Sequence, residues 1–232
     1  MTKLVLLPGL DGTGIFFGPL LQHLPTWIEP VVISYPASGS NDYPALLELV
    51  VREVEHLESF VLLGWSFGGP LALLLSARCP ERVSALILCG SFVTPPLPWL
   101  VPFRHLLGAP LIACVRALRR TRLLIPGYAS SDFRRAKAQT WSQVKAGVLA
   151  ARARAALGID ARPQLQACNA RLMYLLSAQD EVISRTSLAE VQQIAPHVQV
   201  MEIAGPHMAL FTNPVPAVAC ITTFLLQPQH SV

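Results

Sequence analysis

The sequence predicts an α/β fold: a doubly wound, mainly parallel sheet of about six strands, with a helical lid inserted after the fourth strand. Three observations carry that expectation. Short, continuously apolar runs alternate with stretches of helical periodicity, the pattern left by strands buried on both faces of a parallel sheet. A chain of 232 residues, 52% hydrophobic and only 14% charged, suits one large core better than two small ones. The alternation lapses over residues 95–166, where the sequence turns helical and basic, and then resumes. The core is therefore expected over 1–94 and 167–232, and the lid over 95–166.

The first strand is expected at 3–7. Its apolar run is too short for a secretory leader, because Pro8-Gly9 ends it after four residues. A tight loop over 10–14 leads to a helix at 16–24, a second strand at 30–35, a helix at 43–57 with apolar residues at helical spacing, and a third strand at 60–63. A helix and a fourth strand at 83–88 follow. Beyond the lid come a strand at 171–176, a helix at 184–194, a strand at 198–203 and a closing helix at 215–226. Right-handed crossovers place every loop that follows a strand on one edge of such a sheet.

The third strand ends in Gly64-Trp65-Ser66-Phe67-Gly68-Gly69, directly before the apolar helical stretch that starts at Pro70. A G-x-S-x-G motif between a buried strand and a helix is a nucleophile elbow. Gly64 and Gly68 leave no side chains where strand and helix nearly touch, and the serine at the apex can hold a strained backbone with its hydroxyl exposed above the sheet. An activated serine needs a base, and the base needs an orienting acid, in the chain order Ser, Asp or Glu, His. Asp180 directly follows the strand at 171–176, with Glu181 as its rival, and His207 directly follows the strand at 198–203. His23, His56, His105, His197 and His230 follow no late strand, and Asp160 has no strand before it. The tetrahedral intermediate requires two backbone donors. Phe67 N–H and Leu10 N–H are expected to supply them, Gly9 letting the first loop approach. That loop, G-L-D-G-T-G, lacks the lysine of a phosphate-binding P-loop and the spacing of a dinucleotide fingerprint.

Five cysteines, odd in number, widely spaced and without a C-x-x-C pair, suggest neither a disulfide framework nor a zinc site. Free thiols point to a cytoplasmic setting, and no metal or other cofactor is expected. The apolar region 97–118 is interrupted by Pro98, Pro102, Arg104, His105, Gly108, Pro110 and Arg116, so no transmembrane segment is expected there.

These motifs identify a resemblance. The chain resembles an α/β-hydrolase over essentially its whole length. Gly64-Trp65-Ser66-Phe67-Gly68-Gly69, followed by Pro80-Glu81-Arg82-Val83, is similar to the pimeloyl-[acyl-carrier-protein] methyl ester esterases of biotin synthesis. The resemblance implies a serine carboxylesterase with Ser66, Asp180 and His207 as triad and with Leu10 and Trp65 bordering the acyl site. The usual His-Gly of the oxyanion loop is Pro8-Gly9 here, and its aromatic position is Leu10. The stretch from Leu7 to Gly14 is also similar to hydrolases and acyltransferases that act on lipid-like esters. A thioesterase or acyltransferase using the same triad is therefore an alternative, and a binding module on a retired hydrolase scaffold is another.

Aromatic residues around the elbow and lid, Trp65, Phe92, Trp99, Phe103, Phe133 and Trp141, are expected to line an apolar acyl tunnel. Residues 95–170 hold twelve basic side chains, Arg152 and Arg154 among them, against two acidic ones, Asp132 and Asp160. No aromatic stacking platform or reading motif accompanies them, which argues against nucleic acid. An acidic acyl-carrier protein docking on Arg119, Arg120, Arg122, Arg134 and Arg135 is the expected partner, with an anionic lipid surface as the alternative.

Overall fold

The strands are β1 (Thr2–Leu7), β2 (Ile28–Val32), β3 (Phe60–Trp65), β4 (Val83–Cys89), β5 (Arg171–Gln179) and β6 (Gln199–Pro206). In the computed structural model, which describes residues 1–118 and 130–227, they form one sheet, parallel throughout, in the order β2-β1-β3-β4-β5-β6. β3 lies near the centre and every one of its residues is buried. Its side chains alternate between faces, as pleating requires: Phe60 and Leu62 join one hydrophobic cluster, Val61, Leu63 and Trp65 the other. Each fully buried leucine on such a strand stabilises the fold by roughly 1.5–3 kcal/mol.

The helices that cover the sheet are α1 (Gly18–His23), α2 (Tyr43–Glu53), α3 (Gly68–Arg78), α8 (Arg185–Ile194), α9 (Ala209–Thr212) and α10 (Pro214–Leu226), and the segment between β4 and β5 contributes α4 (Ala109–Leu118), α5 (Ser131–Gln143), α6 (Ala146–Ala156) and α7 (Arg162–Gln166). A 3-10 stretch, Pro98–Leu106, precedes α4. The helical insertion after the fourth strand is thus present. Among the described residues no single helix is long and apolar enough to cross a membrane, although Pro98–Leu106 and Ala109–Ala117, bent by 113°, pass that measure as a pair.

Several boundaries differ from expectation for identifiable reasons. α2 opens on Asp42, whose carboxylate accepts the Ala45 N–H at 2.9 Å, but it stops short of residue 57. Beyond it the chain tightens into turns, Glu55 N–H donating to Arg52 O at 3.2 Å and Leu57 N–H to Val54 O at 3.0 Å, and the Arg82 guanidinium caps the orphaned carbonyls of Glu55 and Leu57 at 3.1 and 2.9 Å. β2 starts two residues early, where Thr2 pairs with Ile28, and ends at Val32. The chain then peels away along the glycine-rich loop: Tyr35 N–H donates to Gly12 O at 2.8 Å. β5 and β6 run past their expected ends to Gln179 and Pro206. Asp180 and His207 therefore stand immediately beyond the last strand residues, at the edge where β3 delivers Ser66.

Candidate active site

Ser66 has φ 53°, the left-handed backbone region that only glycine adopts without cost, and among the non-glycine residues described it is alone in having positive φ. Its surroundings hold it there. Ser66 N–H donates to Cys89 O at 2.9 Å, while Ser66 O accepts from Gly69 N–H at 3.0 Å and from the Ser91 hydroxyl at 2.8 Å. Ser91 is fixed in turn by Tyr174 on β5, whose hydroxyl donates to Ser91 O at 2.6 Å and accepts from Ser91 N–H at 3.1 Å. Burial pushes the Tyr174 phenol up, so it stays protonated and able to donate. The glycines at the elbow are sterically required: a Cβ on Gly64 would stand 2.5 Å from Gly68 O, and one on Gly68 2.4 Å from Leu7 O.

Asp180 and His207 meet. The imidazole Nδ1–H donates to Asp180 Oδ2 at 2.8 Å, and the two side chains are only 3% and 11% exposed. The other carboxylate oxygen, Oδ1, accepts Val182 N–H at 2.8 Å and Ile183 N–H at 2.9 Å, which fixes the carboxylate plane. With Nδ1–H committed, Nε2 carries the free lone pair. Glu181, the rival acid, is exposed. Trp65, one residue before the serine, donates its indole N–H to His207 O at 3.2 Å and lies against the imidazole with centroids 5.5 Å apart. Among the described residues the Ser66 hydroxyl makes no hydrogen bond, so the constellation is joined at Asp180–His207 and open between Ser66 and His207; such contacts often tighten only with substrate in place.

The two expected oxyanion donors lie on loops that touch. Neither Leu10 N–H nor Phe67 N–H has an acceptor among the described residues, whereas the carbonyls around them are engaged. Tyr35 and Tyr43 donate their hydroxyls to Pro8 O at 3.0 Å and Phe67 O at 3.1 Å. Burial pushes both phenols up and keeps them protonated. Behind the first loop lies Arg152 of α6, 1% exposed. Its guanidinium donates through Nη1 to Leu10 O and Asp11 O at 3.0 and 2.6 Å, through Nη2 to Pro36 O at 3.0 Å and through Nε to Asn41 Oδ1 at 2.8 Å. Burial lowers its pKa to about 10, which leaves it charged at neutral pH.

The remaining candidates are not gathered into one lining. Trp65 and Phe133 pack in one cluster with Phe16, Phe92 is buried in the other, Trp141 pairs with Arg116 and Lys137, and Trp99 and Phe103 are 68% and 55% exposed. They divide between the two hydrophobic clusters and the surface. The basic stretch is likewise divided. Arg152 is interior, Arg116 and Arg154 donate to Val144 O and Leu107 O, and Arg162 pairs with Asp160 at 2.6 Å. Arg134 and Arg135 are exposed on α5, the latter 3.2 Å from Asp132. Arg119, Arg120 and Arg122 lie outside the described residues. Among those described, no group of three His, Cys, Asp or Glu side chains is arranged to hold a metal ion. Ser91, Tyr174 and Arg152 escaped sequence reasoning: none sits in a motif, and an arginine in A-R-A-R reads as a solvated helix face.

A family model described as the alpha/beta hydrolase family matches residues 4–219. A pimeloyl-[acyl-carrier protein] methyl ester esterase of Neisseria meningitidis serogroup C is 30% identical over 96 residues, which take in 39% of this chain and 37% of that protein. The polyketide synthase ThaQ of Burkholderia thailandensis is 32% identical over 99 residues, 38% of this chain and 5% of the synthase. The matches thus span well under half of these relatives' length. Among solved structures, the enol-lactonase of Burkholderia xenovorans superposes with a TM-score of 0.79 at 16% identity, covering 97% of this chain and 92% of that one. That likeness is one of fold.

Proposed function

The chain belongs to the alpha/beta hydrolase family, and from that premise we propose that it cleaves carboxylic esters with Ser66 as nucleophile, His207 as base and Asp180 as orienting acid. The observation that carries the proposal is the buried 2.8 Å contact of His207 with Asp180 at the sheet edge where the strained Ser66 projects. In the reaction, His207 Nε2 takes the proton from Ser66 Oγ as it attacks the ester carbonyl. Asp180 keeps the imidazole in the tautomer that can accept and stabilises the imidazolium. The tetrahedral oxyanion faces Leu10 N–H and Phe67 N–H. Collapse expels the alcohol, protonated by His207. Water activated by the same imidazole then releases the acid and regenerates the serine.

For the substrate we propose an acyl ester carried on an acyl-carrier protein, in the manner of the pimeloyl-[acyl-carrier protein] methyl ester esterases to which part of the chain is similar. The bordering residues would be Leu10 and Trp65. The helical segment 95–166 would act as the lid, and Arg134 and Arg135 would offer positive charge to the carrier.

The test is a p-nitrophenyl ester assay on wild type, Ser66→Ala, His207→Ala and the double variant. Each single change is expected to cut turnover by at least about 10³-fold, with the double variant little worse, because nucleophile and base act as one unit. Multiplicative losses would refute the pairing.

A further inference from the structure

Arg152 is a fully buried cation that makes no ion pair among the described residues. Its partners are three backbone carbonyls, one amide oxygen and the Tyr35 ring, 5.3 Å from the guanidinium carbon. Burying a charge is costly unless hydrogen bonds compensate it, and every bond that compensates this one comes from the loops after β1 and β2. What the guanidinium holds in place is therefore the clue to its role.

The hydrogen bonds lead in a line. Arg152 Nη1 donates to Asp11 O, at 2.6 Å. The N–H of that same peptide group, on Gly12, donates to Gly9 O at 3.0 Å. The N–H of the Gly9–Leu10 peptide is the donor for which Leu10 was singled out. A second Nη1 bond, to Leu10 O at 3.0 Å, fixes the peptide between those two. Gly12 is what allows the guanidinium so close: it has φ 69°, and a Cβ there would stand 2.4 Å from Nη1.

On the strength of this geometry, and resting on the esterase reading above, we infer that Arg152 is a positioning residue for ester hydrolysis: its guanidinium orients and polarises the Leu10 N–H, through a relay of two peptide groups, toward the oxyanion. Each peptide in a hydrogen-bonded chain polarises the next, and a cation at the head of the chain drives all the dipoles the same way. The charge acts without touching substrate. It also pins the loop after β1 to the loop after β2, through Pro36 and Asn41, so the donor cannot swing away as negative charge develops on the carbonyl oxygen. The planar fork matters as much as the charge, since a lysine has one nitrogen and cannot reach Asn41, Pro36 and the Leu10–Asp11 carbonyls together.

The experiment uses the full chain and compares Arg152→Met, Arg152→Lys and Asn41→Asp with wild type. Active sites are counted by the burst from an organophosphate p-nitrophenyl ester, so that kcat refers to competent enzyme alone. Each variant is then assayed on a p-nitrophenyl acyl ester and against a trifluoromethyl ketone, whose serine adduct carries an oxyanion. Weakening one of two oxyanion donors without deleting it should lower the titrated kcat of Arg152→Met by about 10–100-fold, below the roughly 10²–10³-fold loss that removal of a donor causes. Ketone affinity should fall by the same factor while KM stays within about twofold, the pattern of an interaction made only in the transition state. Arg152→Lys should fall between Met and wild type. Asn41→Asp keeps an acceptor for Nε but supplies a counter-charge, and should lower kcat and ketone affinity together by a few-fold; with Arg152→Lys it decides the matter if Arg152→Met does not fold. Titrated kcat and ketone affinity equal to wild type, with only the melting temperature lowered, would overturn the inference. A wild type that shows no organophosphate burst and no loss on Ser66→Ala would instead overturn the esterase reading, and the inference with it.

Discussion

Replacing Ser66 by glycine and, separately, by alanine separates backbone strain from chemistry at the elbow. Both changes remove the hydroxyl, so both should abolish turnover, but only glycine accepts φ 53° freely. A non-glycine residue in the left-handed region costs about 1–2 kcal/mol, and glycine forfeits roughly 0.5–1 kcal/mol through its greater freedom in the unfolded chain, which leaves a net advantage of roughly 0.5–1 kcal/mol for glycine. For a domain of this size that margin is worth about 1–4 °C in Tm. The two variants should be melted side by side by circular dichroism, with guanidinium titrations to check that the unfolding slope is unchanged. Alanine shares the strain of serine because it shares its Cβ. An alanine variant that melts at or above the glycine variant would refute the claim that the elbow stores strain, and with it the view that the bonds from Ser91 and Gly69 and to Cys89 work against a backbone preference.

Asp180→Asn should lower kcat by about 10²–10⁴-fold with the fold intact, since the amide can reverse the imidazole tautomer and cannot stabilise imidazolium, whereas Glu181→Gln, on an exposed side chain, should change little; the opposite ranking in the same ester assay would reassign the acid. Arg134→Glu with Arg135→Glu should reduce kcat/KM for a carrier-linked ester, the more so at low salt, and leave small p-nitrophenyl esters near wild type. Equal losses on both substrates would remove these arginines from any docking role.

The course of the sheet was legible because buried parallel strands and amphipathic helices write different periods into the sequence, and the meeting of Asp180 with His207 was legible because each stands in a loop just after a late apolar run. What escaped was set by groups distant in sequence. The carbonyls that follow α2 are capped by the Arg82 guanidinium, 25 to 27 residues further on, and nothing in the sequence at 54–57 announces that partner. β5 and β6 continue to Gln179 and Pro206, which pair with each other across the two strands, residues whose own propensities do not announce a strand. The aromatic residues near the elbow and lid looked like one lining because the sequence records their abundance but not the face of the sheet to which each is delivered. Arg152 shows the same limit from the other side. Its neighbours in the chain are alanines and another arginine, while its partners lie 111 to 142 residues away.

Trp65 ties together two loops that the chain separates by more than half its length. Its indole N–H is bonded to the backbone of His207 while its own backbone continues into Ser66, and the ring face rests against Gly9, 3.1 Å from the place a Cβ would take. One side chain thus buttresses three loops of the site at once: the elbow through its own backbone, the imidazole loop through its N–H, and the first loop through its ring. A smaller residue at 65 would withdraw the support of His207 and of Gly9 together.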